Sequence, residues 1–162
     1  MDKISPCLWF DGTAEQAANY YVSLFPDSRV IEVLRWPMDG SGPNAGAKKG
    51  DVLAVEFNLG GRSFQALNGG PLFKFTEAIS MSVDCKDQAE VDRLWDNLIG
   101  DGGKAVQCSW LKDKYGLSWQ IVPHRLYELL RDKDTAKAAR VMAAMMEMVK
   151  IDVAALEKAA KG

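Results

Sequence analysis

The chain uses one phrase twice, and that repeat limits its fold more than any other feature. Gly61-Arg62-Ser63-Phe64-Gln65-Ala66-Leu67 reads glycine, any residue, serine, aromatic, glutamine and two apolar residues. Gly116-Leu117-Ser118-Trp119-Gln120-Ile121-Val122 reads the same, 55 residues on. Each copy is a turn glycine followed by a short run with strand character. Side chains alternate faces along a strand. Gln65 and Gln120, each four residues after its glycine, therefore fall on equivalent faces of two related strands. Repetition at this scale means a duplicated structural unit.

Two helix starts make the duplication more specific. In Thr13-Ala14-Glu15-Gln16 the hydroxyl can take an amide proton and Gln16 can reach back, the pattern of a capping box. Asp87-Gln88-Ala89-Glu90 is a box-like start 74 residues later. Val91, Leu94, Trp95 and Leu98 then mirror Ala17, Tyr20, Tyr21 and Leu24 at the same offset. Since the phrase repeats at 55 and the helix at 74, the first copy is longer between helix and last strand. The glycine-, proline- and asparagine-rich stretch 37–50 accounts for most of that, and it predicts a mobile loop.

Alternation supplies the strands. Residues 3–10 place Ile4, Pro6, Leu8 and Phe10 on one face and Ser5, Cys7 and Trp9 on the other. Runs at 28–36 and 51–59 follow, the latter with Glu56 facing away from Val55 and Phe57; Gly60-Gly61 then turns into the first phrase. In the second copy, 78–84 puts Ala78, Ser80 and Ser82 on one face, and shorter runs at 104–109 and 110–115 precede the second phrase. The order is strand-helix-strand-strand-strand, twice. This predicts an α+β chain: two paired βαβββ modules, about 3–70 and 76–123, forming a curved mixed sheet around a cup within a domain 1–125. A helical extension, 126–162, follows. It carries a short helix with Leu126, Leu129 and Leu130, a second capped by Thr135 and running to about Val149, and a last one capped by Asp152. Its methionines read as core or dimer contacts, and a homodimer is expected.

Composition removes some functions. Twenty basic residues against twenty-two acidic ones, with no basic stripe, argue against nucleic acid as a partner. No apolar run reaches the ~20 residues that cross a bilayer, so no membrane partner is expected. The N-terminus lacks a basic-then-apolar signal pattern, which predicts a cytoplasmic location. Cys7, Cys85 and Cys108 are dispersed, unlike a disulfide framework or a zinc site.

The repeat, with Pro6-Cys7-Leu8-Trp9-Phe10-Asp11-Gly12, Ala17-Ala18-Asn19-Tyr20-Tyr21, Ala66-Leu67-Asn68-Gly69-Gly70-Pro71 and the run from Trp110 to Pro123, resembles the vicinal oxygen chelate superfamily. This is the glyoxalase and bleomycin-resistance fold, and within it the chain is closer to PhnB-like proteins. The resemblance covers about 3–125 and is expected to continue through the tail. In metal-using members it implies a histidine from the first strand of each module. It also implies a carboxylate from the last strand of each, four residues after the turn glycine. Those last-strand positions are Gln65 and Gln120 here, and the first-strand ones fall near Ser5 or Cys7 and near Ala78 or Ser80. Neutral amides and a hydroxyl do not offset a transition metal's lost hydration. The resemblance therefore implies a cup without metal or other cofactor.

The candidate ligand-binding residues of that cup are Ser5, Cys7, Trp9, Gln65, Asn68, Ser80, Trp110 and Gln120. Glutamine amides both donate and accept, which suits a neutral polar small molecule, and tryptophans give flat apolar walls. Three readings follow: a metal-free binding protein, an enzyme acting on a small carbonyl or aromatic substrate, or an assembly protein with a filled cup. Cys7 as nucleophile and His124 as base each lack a visible partner in sequence. Some PhnB-like proteins carry a methyltransferase label. The glycine pairs 60–61, 69–70 and 102–103 sit at antiparallel turns rather than opening a helix against a cofactor, which argues against that activity.

Overall fold

The computed structural model describes residues 2–162, except the side chain of Pro43. The described residues form an α+β chain with two mixed four-stranded sheets and five α-helices. The chain divides into two compact units, one ending at Lys74 and the other running from Phe75 to Gly162.

In the first unit, β1 (Cys7–Phe10) leads to α1 (Ala14–Leu24), then β2 (Arg29–Arg35), β3 (Val52–Leu59) and β4 (Arg62–Asn68). The sheet order is β1-β4-β3-β2, with β1 parallel to β4 and the other pairs antiparallel. One face holds the core: Leu8 and Phe10, Val55 and Phe57, and Phe64 and Ala66 are buried, as are Ala14, Ala17, Ala18, Tyr21 and Leu24 of α1. The first strand is shorter than its alternation predicts, and Ile4 is 89% exposed. The 37–50 stretch is held by its own bonds. It contains a 3-10 turn at Gly42–Asn44, Gly40 N–H donates to Ala47 O, and Lys49 N–H donates to Asp39 Oδ1.

Thr13 makes no side-chain cap. Asn68, from the end of β4, does so instead: its Oδ1 accepts the Ala14 amide at 2.9 Å, and its Nδ2 donates to Val52 O at 3.0 Å. One amide thereby ties the helix start to two strands.

The second unit repeats the plan with β5 (Met81–Cys85), α2 (Gln88–Ile99), β6 (Lys104–Ala105), β7 (Trp110–Lys112) and β8 (Ser118–Pro123), in the order β5-β8-β7-β6. Here the predicted cap forms: Asp87 accepts the Glu90 amide, and Glu90 accepts the Lys86 amide. Val91, Leu94, Trp95 and Leu98 are all buried, as their spacing requires. Gly103 sits where a Cβ would meet only backbone, nearest Leu98 O, so the chain can leave α2 this way only as glycine.

The extension comprises α3 (His124–Leu130), α4 (Thr135–Met146) and α5 (Val153–Lys161). Asp152 caps α5 as expected, whereas α4 is capped by Asp134, one residue ahead of Thr135. Leu126, Leu129, Val141, Ile151, Leu156 and Ala160 form a cluster with Val122 of β8. Backbone ties fix it to the second unit: the Cys108 and Ser109 amides donate to Met148 O and Val149 O. Gln88 bridges Ile151 O and the Val153 amide.

Candidate functional site

Register turns the repeated phrase into geometry. In the first unit Cys7 lies beside Gln65, Gln65 beside Glu56, and Glu56 beside Glu32. These form one row across all four strands, on the face away from the buried Leu8, Ala66 and Val55. In the second unit Ser82 lies beside Gln120 and Gln120 beside Trp110. Both glutamines are half-buried and take the same place, in the strand that lies between the first and third of its module. Cys7 is matched by Ser82, and Glu56 by Trp110.

Each candidate residue can now be placed. Ser5 is half-buried and precedes β1. Trp9 sits one row from Cys7 and is held in position. Its indole N–H donates to Gly70 O at 2.8 Å, and its ring meets Phe73 edge-on at 5.0 Å. A Cβ on Gly69 would run into the indole, so that glycine makes the approach possible. Asn68 shares the parity of the buried Phe64 and Ala66, and its amide is the helix tie described above. Ser80 lies just before β5, and its hydroxyl accepts a hydrogen bond from Gln120 Nε2 at 2.8 Å. Trp119 and Ile121 turn to the opposite, buried face. Val122, which shares the Gln120 face, is buried in the cluster formed by the tail.

Sequence reasoning did not single out Glu32, Asp84 or Ser118. Glu32 is directly across from Glu56. The Ser118 hydroxyl is buried on the Gln120 face with no hydrogen-bond partner. Only parity could have flagged it.

The donors of these rows are a poor fit for a transition metal. Gln120 turns an amide N–H toward Ser80, and among the described residues no three His, Cys, Asp or Glu side chains converge. Cys7 is exposed as a residue, yet partial desolvation raises its thiol pKa above the ordinary value. That favours the thiol over the thiolate that binds metals or attacks carbon.

His124 has a partner that spacing could not show. Its Nδ1 lies 2.9 Å from Asp84 Oδ2, and Asp84 shares the Ser82 face. The hydrogen bond to Asp84, then its charge, raises the His124 pKa above 6.5; Glu128 adds to the effect and Arg131 opposes it. The folded state thus prefers imidazolium. The stabilisation is fully present below pH 6.5 and is lost as pH rises through the elevated folded value. Asp84→Asn is expected to lower the His124 pKa measured by proton NMR; an unchanged titration would rule out the pair as its cause.

The chain's sequence from residue 2 to residue 122 matches the family model described as 3-demethylubiquinone-9 3-methyltransferase. The chain belongs to this family. Its PhnB-like character is seen in the solved structure of a PhnB protein from Bacillus cereus that carries the same methyltransferase name. That protein is 36% identical, covers 74% of this chain and is itself 97% covered, at a TM-score of 0.63. Protein PA1353 from Pseudomonas aeruginosa shares the fold at 20% identity, 74% and 95% coverage and a TM-score of 0.57. A glyoxalase/bleomycin resistance protein from Albidiferax ferrireducens T118 matches at 9% identity, 73% and 96% coverage and a TM-score of 0.43. No curated protein matches the chain. The family match ends at Val122, and α3–α5 lie beyond it.

Proposed function

We propose that this PhnB-like chain binds a neutral polar small molecule without a metal, at the sheet face of the second unit that carries Gln120; Gln65 holds the same register place in the first unit. The observation behind this reading is the matched register of the two glutamines, each flanked by a small polar side chain: Cys7 beside Gln65, Ser82 beside Gln120. Gln120 has one N–H committed to Ser80, which leaves its carbonyl and second N–H to meet an amide, hydroxyl or carbonyl. Trp110, directly across from it, supplies a flat apolar neighbour. We place the protein in the cytoplasm as a homodimer. No helix among the described residues is long and apolar enough to cross a membrane.

A thermal-shift screen with neutral carbonyl and aromatic compounds, on protein purified without chelator or tag, tests this. A ligand at a hundred times its Kd adds about 2.7 kcal/mol of stability. Gln120→Leu is expected to weaken that ligand about tenfold, the worth of a lost hydrogen bond or two. One equivalent of tightly held transition metal, or an unchanged affinity in Gln120→Leu, would overturn the reading. Light scattering is expected to give twice the 17.8 kDa of one chain.

A further inference from the structure

A hollow of about 440 Å³ lies at one end of the first sheet, away from the glutamine row. That volume falls within the range of small-molecule sites. It is bounded by the β1–α1 turn, the end of β2, the 44–47 loop and the residues after β4. Gly12, Gly46 and Gly70 are among its lining residues, and a Cβ built on any of them meets no atom within 4 Å.

Its lining has a definite chemistry. Trp36 is half-buried in the wall and contributes an aromatic face. The charged side chains of the lining, Asp11 and Asp51, are both acidic. Of the nearby cations, Arg35 pairs with Glu15 at 3.6 Å and Lys48 pairs with Asp39 at 3.3 Å, and none is among the lining residues. Asp51 accepts the Lys48 amide through one oxygen, and Asp11 makes no hydrogen bond or ion pair among the described residues. The first amide of α1, which would draw an anion, is already taken by Asn68. A cavity with an indole wall, two carboxylates and no basic lining residue attracts a cation that can also use a π face.

We infer that this hollow is a binding site for a small organic cation of the quaternary ammonium class. The indole receives the methylated head, and Asp11 and Asp51 supply the opposing charge. This site is separate from the glutamine rows and stands or falls independently of them.

The test uses the full chain and choline as the probe, read at the Trp36 indole N–H in a proton–nitrogen correlation spectrum. Trp36→Phe assigns the signal. A saturable shift is expected at about millimolar choline, as a single charge on a partly open aromatic site gives. The neutral isostere 3,3-dimethylbutan-1-ol is expected to give none at the same concentration. Asp11→Asn is expected to weaken choline about threefold, and Asp11→Asn with Asp51→Asn about tenfold. Gly46→Leu adds a bulky side chain at the lining without backbone strain, because the Gly46 φ lies outside the left-handed region; it is expected to abolish the shift. Equal shifts from the neutral isostere would overturn the inference, as would choline binding that survives Gly46→Leu. Saturation by calcium or magnesium with none by choline would overturn it too.

Discussion

Asp113→Ala is expected to destabilise the second unit by about 3–5 kcal/mol, a large part of the roughly 5–15 kcal/mol that holds a domain together. Asp113 is 3% exposed. One of its oxygens accepts the Tyr115 amide at 2.8 Å and the Leu117 amide at 3.1 Å; the other accepts the Trp119 indole N–H at 2.8 Å. It thus folds the turn that opens the second phrase and pins the phrase's aromatic residue to the core. Alanine would take the carboxylate acceptor away from the buried Leu117 amide and Trp119 indole, which costs more than the bonds themselves contribute. Asn58, 55 residues earlier, holds the corresponding place in the first copy, where its side chain accepts, among the described residues, a 3.4 Å bond from the Ser63 hydroxyl. Asn58→Ala is therefore expected to cost well under half as much. Urea unfolding followed by tryptophan fluorescence measures both. A midpoint for Asp113→Ala indistinguishable from that of the parent would show that solvent or another donor network replaces it.

That comparison marks how far the sequence could be read. Periodicity is a local property, so it places α1, α2 and the strands of both copies, and it picks out Val91, Leu94, Trp95 and Leu98 as a buried face. Caps satisfied from within their own turn, at Asp87 and Asp152, are equally legible. What periodicity misses is closed by partners far along the chain. Thr13 fits a cap, yet the Ala14 amide goes to Asn68, 54 positions away. Trp9 reads as one wall of a cup, yet its N–H is claimed by Gly70, 61 positions away. His124 reads as unpartnered, yet Asp84 lies beside it across the sheet because β5 runs parallel to β8. For the site, parity correctly puts Gln65 and Gln120 on faces opposite the helix-covered core, and Trp119 opposite Gln120. It could not show that Ser82 rather than Ser80 is the backbone neighbour of Gln120, or that Ser80 reaches it by a side-chain bond. That outcome depends on the register between strands, which no single segment encodes.

The tail provides the second large effect. Leu156→Ala is expected to cost about 2–5 kcal/mol, and to release α3–α5 before the sheets unfold. Leu156 is fully buried in a cluster whose other members, apart from Val122, all belong to the extension. So small a cluster has few neighbours with which to refill the space of a lost isobutyl group, which sets the cost toward the upper end. The other attachments are polar; they include the Lys150–Asp92 pair at 2.7 Å, the His124–Asp84 pair at 2.9 Å, the Gln88 bridge, the Ile151 amide on the Ser109 hydroxyl at 3.4 Å and the two backbone bonds at Cys108 and Ser109. Weakening the apolar cluster should therefore let the helices open while β5–β8 stay paired. Two results would follow. Protease cleavage should appear between residues 131 and 152 under conditions that spare the parent. Amide exchange should quicken in α4 and α5 but not in β8. If exchange instead quickened equally in β8 and the tail, the extension would be an inseparable part of the second unit's core. The Val122 contact would then be carrying the fold of the duplicated strand rather than merely covering it.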